Sequence, residues 1–268
     1  MINLIPDKNS DLFKMYTDFE KEKLAELEKL FLDWYNFFKS NESNNGTIIR
    51  DFSANDMSFD GFYPNYFGQR IKILYIAREG RGISGENYIE ILFPAYKNNF
   101  IGNEHINKHE FHRRIFYLTY GFLKKEYNFQ LVPNANDISP ILGTKEFSFA
   151  FMNISKFSNE NDSYQSDYEI INKSVELSSA KRNFIQEEIR ILDPDIIITM
   201  NLYDYFAAIG NIKLIDNSNP AVHVFELLTD EKKYLVLDSF HFSAIKTEKD
   251  FFFDPIINVA KKYKSELF

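Results

Sequence analysis

Cysteine is absent from all 268 residues. That omission excludes disulfides, cysteine-ligated zinc, iron–sulfur clusters and a thiol nucleophile, and it fits an intracellular, cytoplasmic protein. Also missing is any uncharged apolar stretch long enough to cross a bilayer. The opening MINLIPDKNSDLF has no basic segment followed by an apolar one, so neither a membrane span nor a secretory leader is expected. Basic side chains are in deficit, 31 Lys and Arg against 39 Asp and Glu, for a formal charge of −8. A broad nucleic-acid footprint needs a basic face to displace counterions, so this balance leaves room only for a small basic cleft on an acidic body.

Apolar material is plentiful: 44% of residues are hydrophobic, with 28 Phe and 16 Tyr. The length suits one large α/β domain over residues 1–268, with a helical N-terminal extension (1–60) and a core at 71–244. Ile71 to Ala77 is an almost unbroken apolar run that stops at Arg78, Glu79, Gly80, Arg81 and Gly82. Such a run is too short for a free-standing helix and reads as a strand buried on both faces of a parallel sheet. The crevice beyond the carboxyl end of a strand of this kind is the usual ligand site in open α/β sheets.

The rest of the chain alternates. Leu24, Leu27, Phe31, Trp34 and Phe38 recur at helical spacing and predict a helix over Asp18 to Ser40. An aromatic segment from Asp60 to Phe67 leads into the first central strand. Further strands are expected at Phe147–Met152, Ile196–Met200, Val222–Leu228 and Tyr234–Leu237. Helices are expected at Ser178–Leu192 and Tyr203–Ile209, and a last one opens at Asp254–Pro255. Asn159–Tyr168 reads as an exposed insertion. The sum is a three-layer α/β/α sandwich with a mainly parallel central sheet.

Two motifs invite cofactor or metal chemistry. Gly80, Gly82 and Gly85 spell G-x-G-x-x-G, but the region that should hold the following acidic strand, KNNFIGNEHINKHEF, is polar, so no nicotinamide or flavin site is expected. His105, His109 and His112 are spaced for one helical face and could form a metal-dependent hydrolase site with Glu104 or Glu110, or simply the solvated first turn of a helix running to Lys125.

Four polar residues stand just past expected strand ends: Glu79, Asn153, Asn201 and His241. That order resembles the uracil-DNA glycosylase superfamily. Ala77-Arg78-Glu79-Gly80 resembles the loop carrying the family's water-activating residue, and FAFMNISKF, with Asn153 and Lys156, resembles its base-reading strand. FIQEEIRILDPDIIITMN is similar to its helix, proline and third strand, and DSFHFSA, with His241 and Ser243, to its last motif. The chain departs from the pattern where Gly80 and Phe242 replace prolines and where the acid is Glu.

The resemblance implies a uracil-DNA glycosylase-like fold and hydrolysis of the N-glycosidic bond of uracil or a related damaged base, with no cofactor or metal and with DNA, single-stranded included, or a nucleotide as partner. Glu79 would activate water and stabilise an oxocarbenium-like sugar, and His241 would donate to the departing base. Asn153 would read the base edge and Phe93 would stack on it. Arg78, Arg81, Lys156 and Ser243 would meet the nucleic acid. Structural explanations stand beside each role: Glu79 and Arg78 pairing with a neighbouring loop, Asn153 capping a helix, His241 satisfied by backbone. A non-catalytic nucleic-acid or nucleotide-binding relative is the alternative reading.

Overall fold

A computed structural model describes residues 3–161, 165–230 and 232–268. Its helices are α1 (Asp11–Met15), α2 (Asp18–Ser40), α3 (Tyr88–Lys97), α4 (Glu110–Lys124), α5 (Ala135–Ile138), α6 (Tyr168–Ser179), α7 (Phe184–Leu192), α8 (Phe206–Ile209) and α9 (Asp254–Tyr263). Its strands are β1 (Gly61–Phe62), β2 (Ile73–Ala77), β3 (Phe100–Ile101), β4 (Glu104–His105), β5 (Ala150–Asn153), β6 (Ile196–Met200), β7 (Asn211–Asp216), β8 (Val222–Leu228) and β9 (Lys233–Ser239). Among the described residues no helix is long and apolar enough to cross a membrane.

Seven strands form one sheet in the order β1-β5-β2-β6-β9-β8-β7. At its centre β5, β2, β6 and β9 run parallel, with Tyr75 opposite both Phe151 and Ile198, and Ile198 opposite Leu237. β2, β5 and β6 are buried at every position, as their unbroken apolar composition demands when helices cover both faces. One group of helices joins α2 to α7 and α6 to α7 and α8; another joins α4 to α5 and α9.

The sheet is mixed, which corrects the expectation of a mainly parallel one. β1 lies antiparallel to β5, and β8 antiparallel to both β9 and β7, so three pairings are antiparallel and three parallel. β7 escapes sequence reading because it is an edge strand with no fully buried position, and so lacks a buried-face signature. The expected helix from Ser178 is two helices. α6 ends at Ser179, and α7 begins after Asn183, whose side chain caps it through Gln186 N. The expected insertion at 159–168 is only partly exposed, since Asn159 is buried and Tyr168 opens α6; its residues 162–164 lie outside the described residues. Asp254 is the first residue of α9, continuing a π turn over Lys249–Phe253, rather than its N-cap.

The N-terminal helix belongs to the main core. Thr17 and Glu20 form a capping box at its start. Trp34 stacks on Phe184 with ring centroids 5.2 Å apart, and Phe38 stacks on Phe157 at 5.3 Å. The G-x-G-x-x-G glycines are turn formers between β2 and α3. Gly82 and Gly85 take φ of +63° and +73°, and a Cβ on Gly85 would stand 2.8 Å from the Asn55 carbonyl oxygen. Gly85→Ala is therefore expected to cost about 1–2 kcal/mol in urea unfolding, with an unchanged m value.

Candidate active site

The chain leaves β2 for β5 on one side and later crosses back to β6 on the other. This places the topological switch point between the carboxyl ends of β2 and β6, where open α/β sheets bind ligands. Arg78 and Glu79 follow β2, Asn201 follows β6, and His241 follows β9. Arg78 bridges the switch point, with Nη2 donating to Asn201 O (3.3 Å) and Nη1 to Tyr168 Oη (3.1 Å) and Ser166 Oγ (3.4 Å). Asn201 has φ of +60°, a left-handed conformation that asparagine tolerates better than most residues.

The loop carrying Glu79 is fixed by main-chain bonds that prolong the β2–β5 ladder. Ile154 N donates to Ala77 O (3.0 Å), Ser155 N to Arg78 O (2.8 Å) and Asn159 N to Gly80 O (2.8 Å). Burial pushes the Glu79 carboxyl above the ordinary range; hydrogen bonds from Ser166 and Asn159 and the charges of Arg78 and Arg81 pull it part of the way back.

His241 is held neutral. Burial first, then the positive charges of Arg78 and Arg114, bring its pKa down to about 4. Its Nδ1 accepts from Ser243 N (3.3 Å), which leaves the proton of the neutral ring on Nε2 as a donor. The ring lies beside Phe111, with centroids 5.8 Å apart. The His241 loop is clamped by Arg114, itself only 2% exposed, whose guanidinium donates to Phe242 O (2.5 Å), Ala244 O (2.9 Å) and Lys246 O (2.8 Å) while resting over Phe252 at 4.0 Å.

The structure therefore places Arg78, Glu79 and His241 at one end of the sheet, with Ser243 beside His241 and the charge of Arg81 reaching Glu79, and engages Asn153, Lys156 and Phe93 elsewhere. Asn153 is buried, with both its main-chain N and Nδ2 donating to Asp60 (2.9 and 3.3 Å) and Oδ1 left without a partner. Lys156 is fully buried between Asp60 (2.5 Å) and Glu188 (2.8 Å), under Trp34 at 5.0 Å, so it cannot meet a phosphate from that position. Phe93 packs inward on α3 against Tyr63, with centroids 6.1 Å apart. Arg81 is exposed and donates to Asn161 O (3.0 Å), and Ser243 is exposed beside His241.

The three clustered histidines do not share one helical face, which corrects that expectation, although the rings of His109 and His112 lie 6.0 Å apart. His105 lies in β4 with its ring against Phe100, His109 is the residue before α4, and only His112 is helical. His112 is bonded to Tyr96 Oη at 2.8 Å, and burial holds its pKa down to about 3. Among the described residues no group of three His, Cys, Asp or Glu could hold a metal ion.

Sequence reasoning passed over Ser166, Tyr168, Tyr205, Phe111 and Arg114. Tyr205 senses the charges of Arg78 and Glu79, and its hydroxyl pKa is raised chiefly by burial. Arg114 had a readable signal: it shares the helical stripe of Phe111, Ile115 and Leu118, and a cation on an apolar stripe asks for a buried partner. Comparison with protein-family models and with curated proteins found no match for this chain.

Proposed function

We propose that this chain hydrolyses the N-glycosidic bond of uracil or a related damaged base in DNA, on a uracil-DNA glycosylase-like scaffold. One observation carries the reading: a partly buried carboxylate, Glu79, and a neutral imidazole donor, His241, follow parallel strands on either side of β6 at the carboxyl end of the sheet, and the charge of one guanidinium, Arg78, reaches both. Breaking the C1′–N bond develops positive charge on the sugar and negative charge on the base, so a site needs an anion and a hydrogen-bond donor on opposite sides. Glu79 takes a proton from the attacking water as its oxygen bonds C1′, and the bonding pair leaves with the base. The Nε2 proton of His241 donates to the base oxygen that gathers the charge. Phe111 replaces Phe93 as the ring positioned to stack, and Arg78 supplies the local positive charge.

The test is release of base from uracil-containing oligonucleotides, single- and double-stranded. Glu79→Gln and His241→Ala are each expected to lower the rate by about a hundredfold or more. A parent protein that releases no base, or variants that match it, would remove the reading.

The pH profile follows from the two pKa shifts. Protonating Glu79 abolishes its role as base, so the rate falls on the acid side, with a midpoint above the ordinary carboxylate value. His241 stays neutral from about pH 5 upward, so no inflection is expected near pH 6.5, where an ordinary histidine titrates. Initial rates between pH 4 and 8 decide this.

Binding without turnover is the second reading, and the confinement of Asn153 favours it, because a pinned asparagine cannot read a base edge. Affinity for DNA that falls steeply with salt, with no base release, would support it.

A further inference from the structure

Beside the switch point, on the far side of Asn201, lies a cavity of about 450 Å³ that the proposed base chemistry does not use. It opens at the carboxyl ends of β6 and β9 and the start of β8, within the size range of small-molecule sites. Its lining combines carboxylates with aromatic rings: Asp238 and Asp204, with Tyr203, Phe225 and Phe240. Among the described residues the lining includes no lysine or arginine, and its basic group is His223.

Asp238 is the informative group. It is only 7% exposed; Thr199 Oγ1 (2.7 Å) and Leu202 N (2.9 Å) donate to Oδ1, and the main chain of Asn201 also supports its charged form. Neither of the Thr199 and Leu202 bonds uses Oδ2, and Asp238 lines the cavity, so Oδ2 is an acceptor for a ligand there. Burial pushes this carboxyl up, and the exposed His223, directly opposite it on β8, also lines the cavity. A nearly buried carboxylate in a cavity walled by aromatic rings, with no lysine or arginine among the described lining residues, is complementary to a cation that also carries apolar surface.

We infer that this cavity binds a small organic amine, its ammonium group on Asp238 Oδ2 and its carbon skeleton against Tyr203 and Phe225. Charge and shape both enter. An inorganic cation would leave the rings without a partner, and an organic anion would face two carboxylates. This inference is independent of the glycosylase reading, because none of these residues is assigned a part in base release.

Phenethylamine and spermidine serve as probes, with phenylacetate as a control of the same ring and opposite charge, titrated against the full chain by calorimetry. Saturable binding of one amine, with none of phenylacetate, is expected. Asp238→Asn keeps an oxygen acceptor for Thr199 and Leu202 while removing the charge, and should weaken binding by about tenfold or more. Tyr203→Ala, at a residue 61% exposed and so harmless to folding, should weaken it by about threefold or more. The inference is overturned if neither amine saturates at millimolar concentration, if phenylacetate binds as well, or if both variants bind like the parent. Should Asp238→Asn fail to fold, the Tyr203→Ala result and the phenylacetate control decide alone.

Discussion

Lys156→Met is expected to lower the unfolding free energy by about 3–5 kcal/mol, a fall in Tm of roughly 6–20 °C. The reason is the company Lys156 keeps. Its ammonium is fully buried with Asp60 at 2.5 Å and Glu188 at 2.8 Å, and both carboxylates are themselves 3% exposed or less. Both oxygens of Glu188 lack a hydrogen bond of good geometry, so the Lys156 charge is what offsets their burial. Removing the cation strands two buried anions, which costs far more than losing the pair as a whole would. The deficit should depend on pH. Burial already raises the Glu188 pKa, and Lys156 is the influence that lowers it, so without the lysine the folded-state value rises further above the unfolded one. A carboxyl raised in this way leaves stability intact below its unfolded pKa and subtracts it as pH rises toward the folded value. The variant should therefore be closest to the parent near pH 4 and furthest from it near pH 8. Adding Glu188→Gln should recover part of the loss at pH 8. Denaturant melts at the two pH values measure both effects, and a Lys156→Met protein as stable as the parent at pH 8 would refute the account.

Arg114→Leu should have a comparable effect on stability, about 3–5 kcal/mol, and a second one on the site. Its guanidinium is the donor for the carbonyls of Phe242, Ala244 and Lys246, and it also lies 3.2 Å from Glu248. The buried Phe242 carbonyl left unpaired costs on the order of 1–3 kcal/mol, and the partly exposed Ala244 and Lys246 carbonyls, which water can reach, add less each. These carbonyls belong to the loop that begins at His241, so the imidazole loses its mounting along with the loop. If the proposed base release is the activity, it should then fall in kcat more than in KM, because a misplaced donor chiefly fails the departing base. Arg114→Lys should rescue little of this, since a single ammonium cannot span three carbonyls as the planar fork does. Urea unfolding with steady-state kinetics on the same preparations tests both halves.

The central strands and the long second helix were legible because burial on both faces leaves an unbroken apolar run and a helix against a core leaves a periodic one. The sequence also marked three residues that stand at the carboxyl end of the sheet, Arg78, Glu79 and His241, each just past an apolar run. It misplaced Asn153 and Lys156 for a physical reason. A polar residue after a strand can turn toward the crevice or toward a buried counter-ion, and Asp60, distant in sequence, decides which. Nothing local to FAFMNISKF reveals that Asp60 and Glu188 converge on its lysine. Phe93 was one of many phenylalanines at helical spacing, and only packing separates it from Phe111. β7 and the break between α6 and α7 were hidden because an exposed edge has no pattern, and because Asn183 caps a helix inside what reads as one continuous stretch.

The main-chain bonds that prolong the β2–β5 ladder past Ala77 bear on how strongly anything can be held at the switch point. They order the segment from Arg78 to Gly80 when the chain folds, together with the segment from Ile154 to Asn159. Immobilising a residue's backbone costs roughly 1–2 kcal/mol. A ligand arriving beside Glu79 meets a surface already in its final shape there, and the energy of its contacts goes into residence time rather than into quieting a loop.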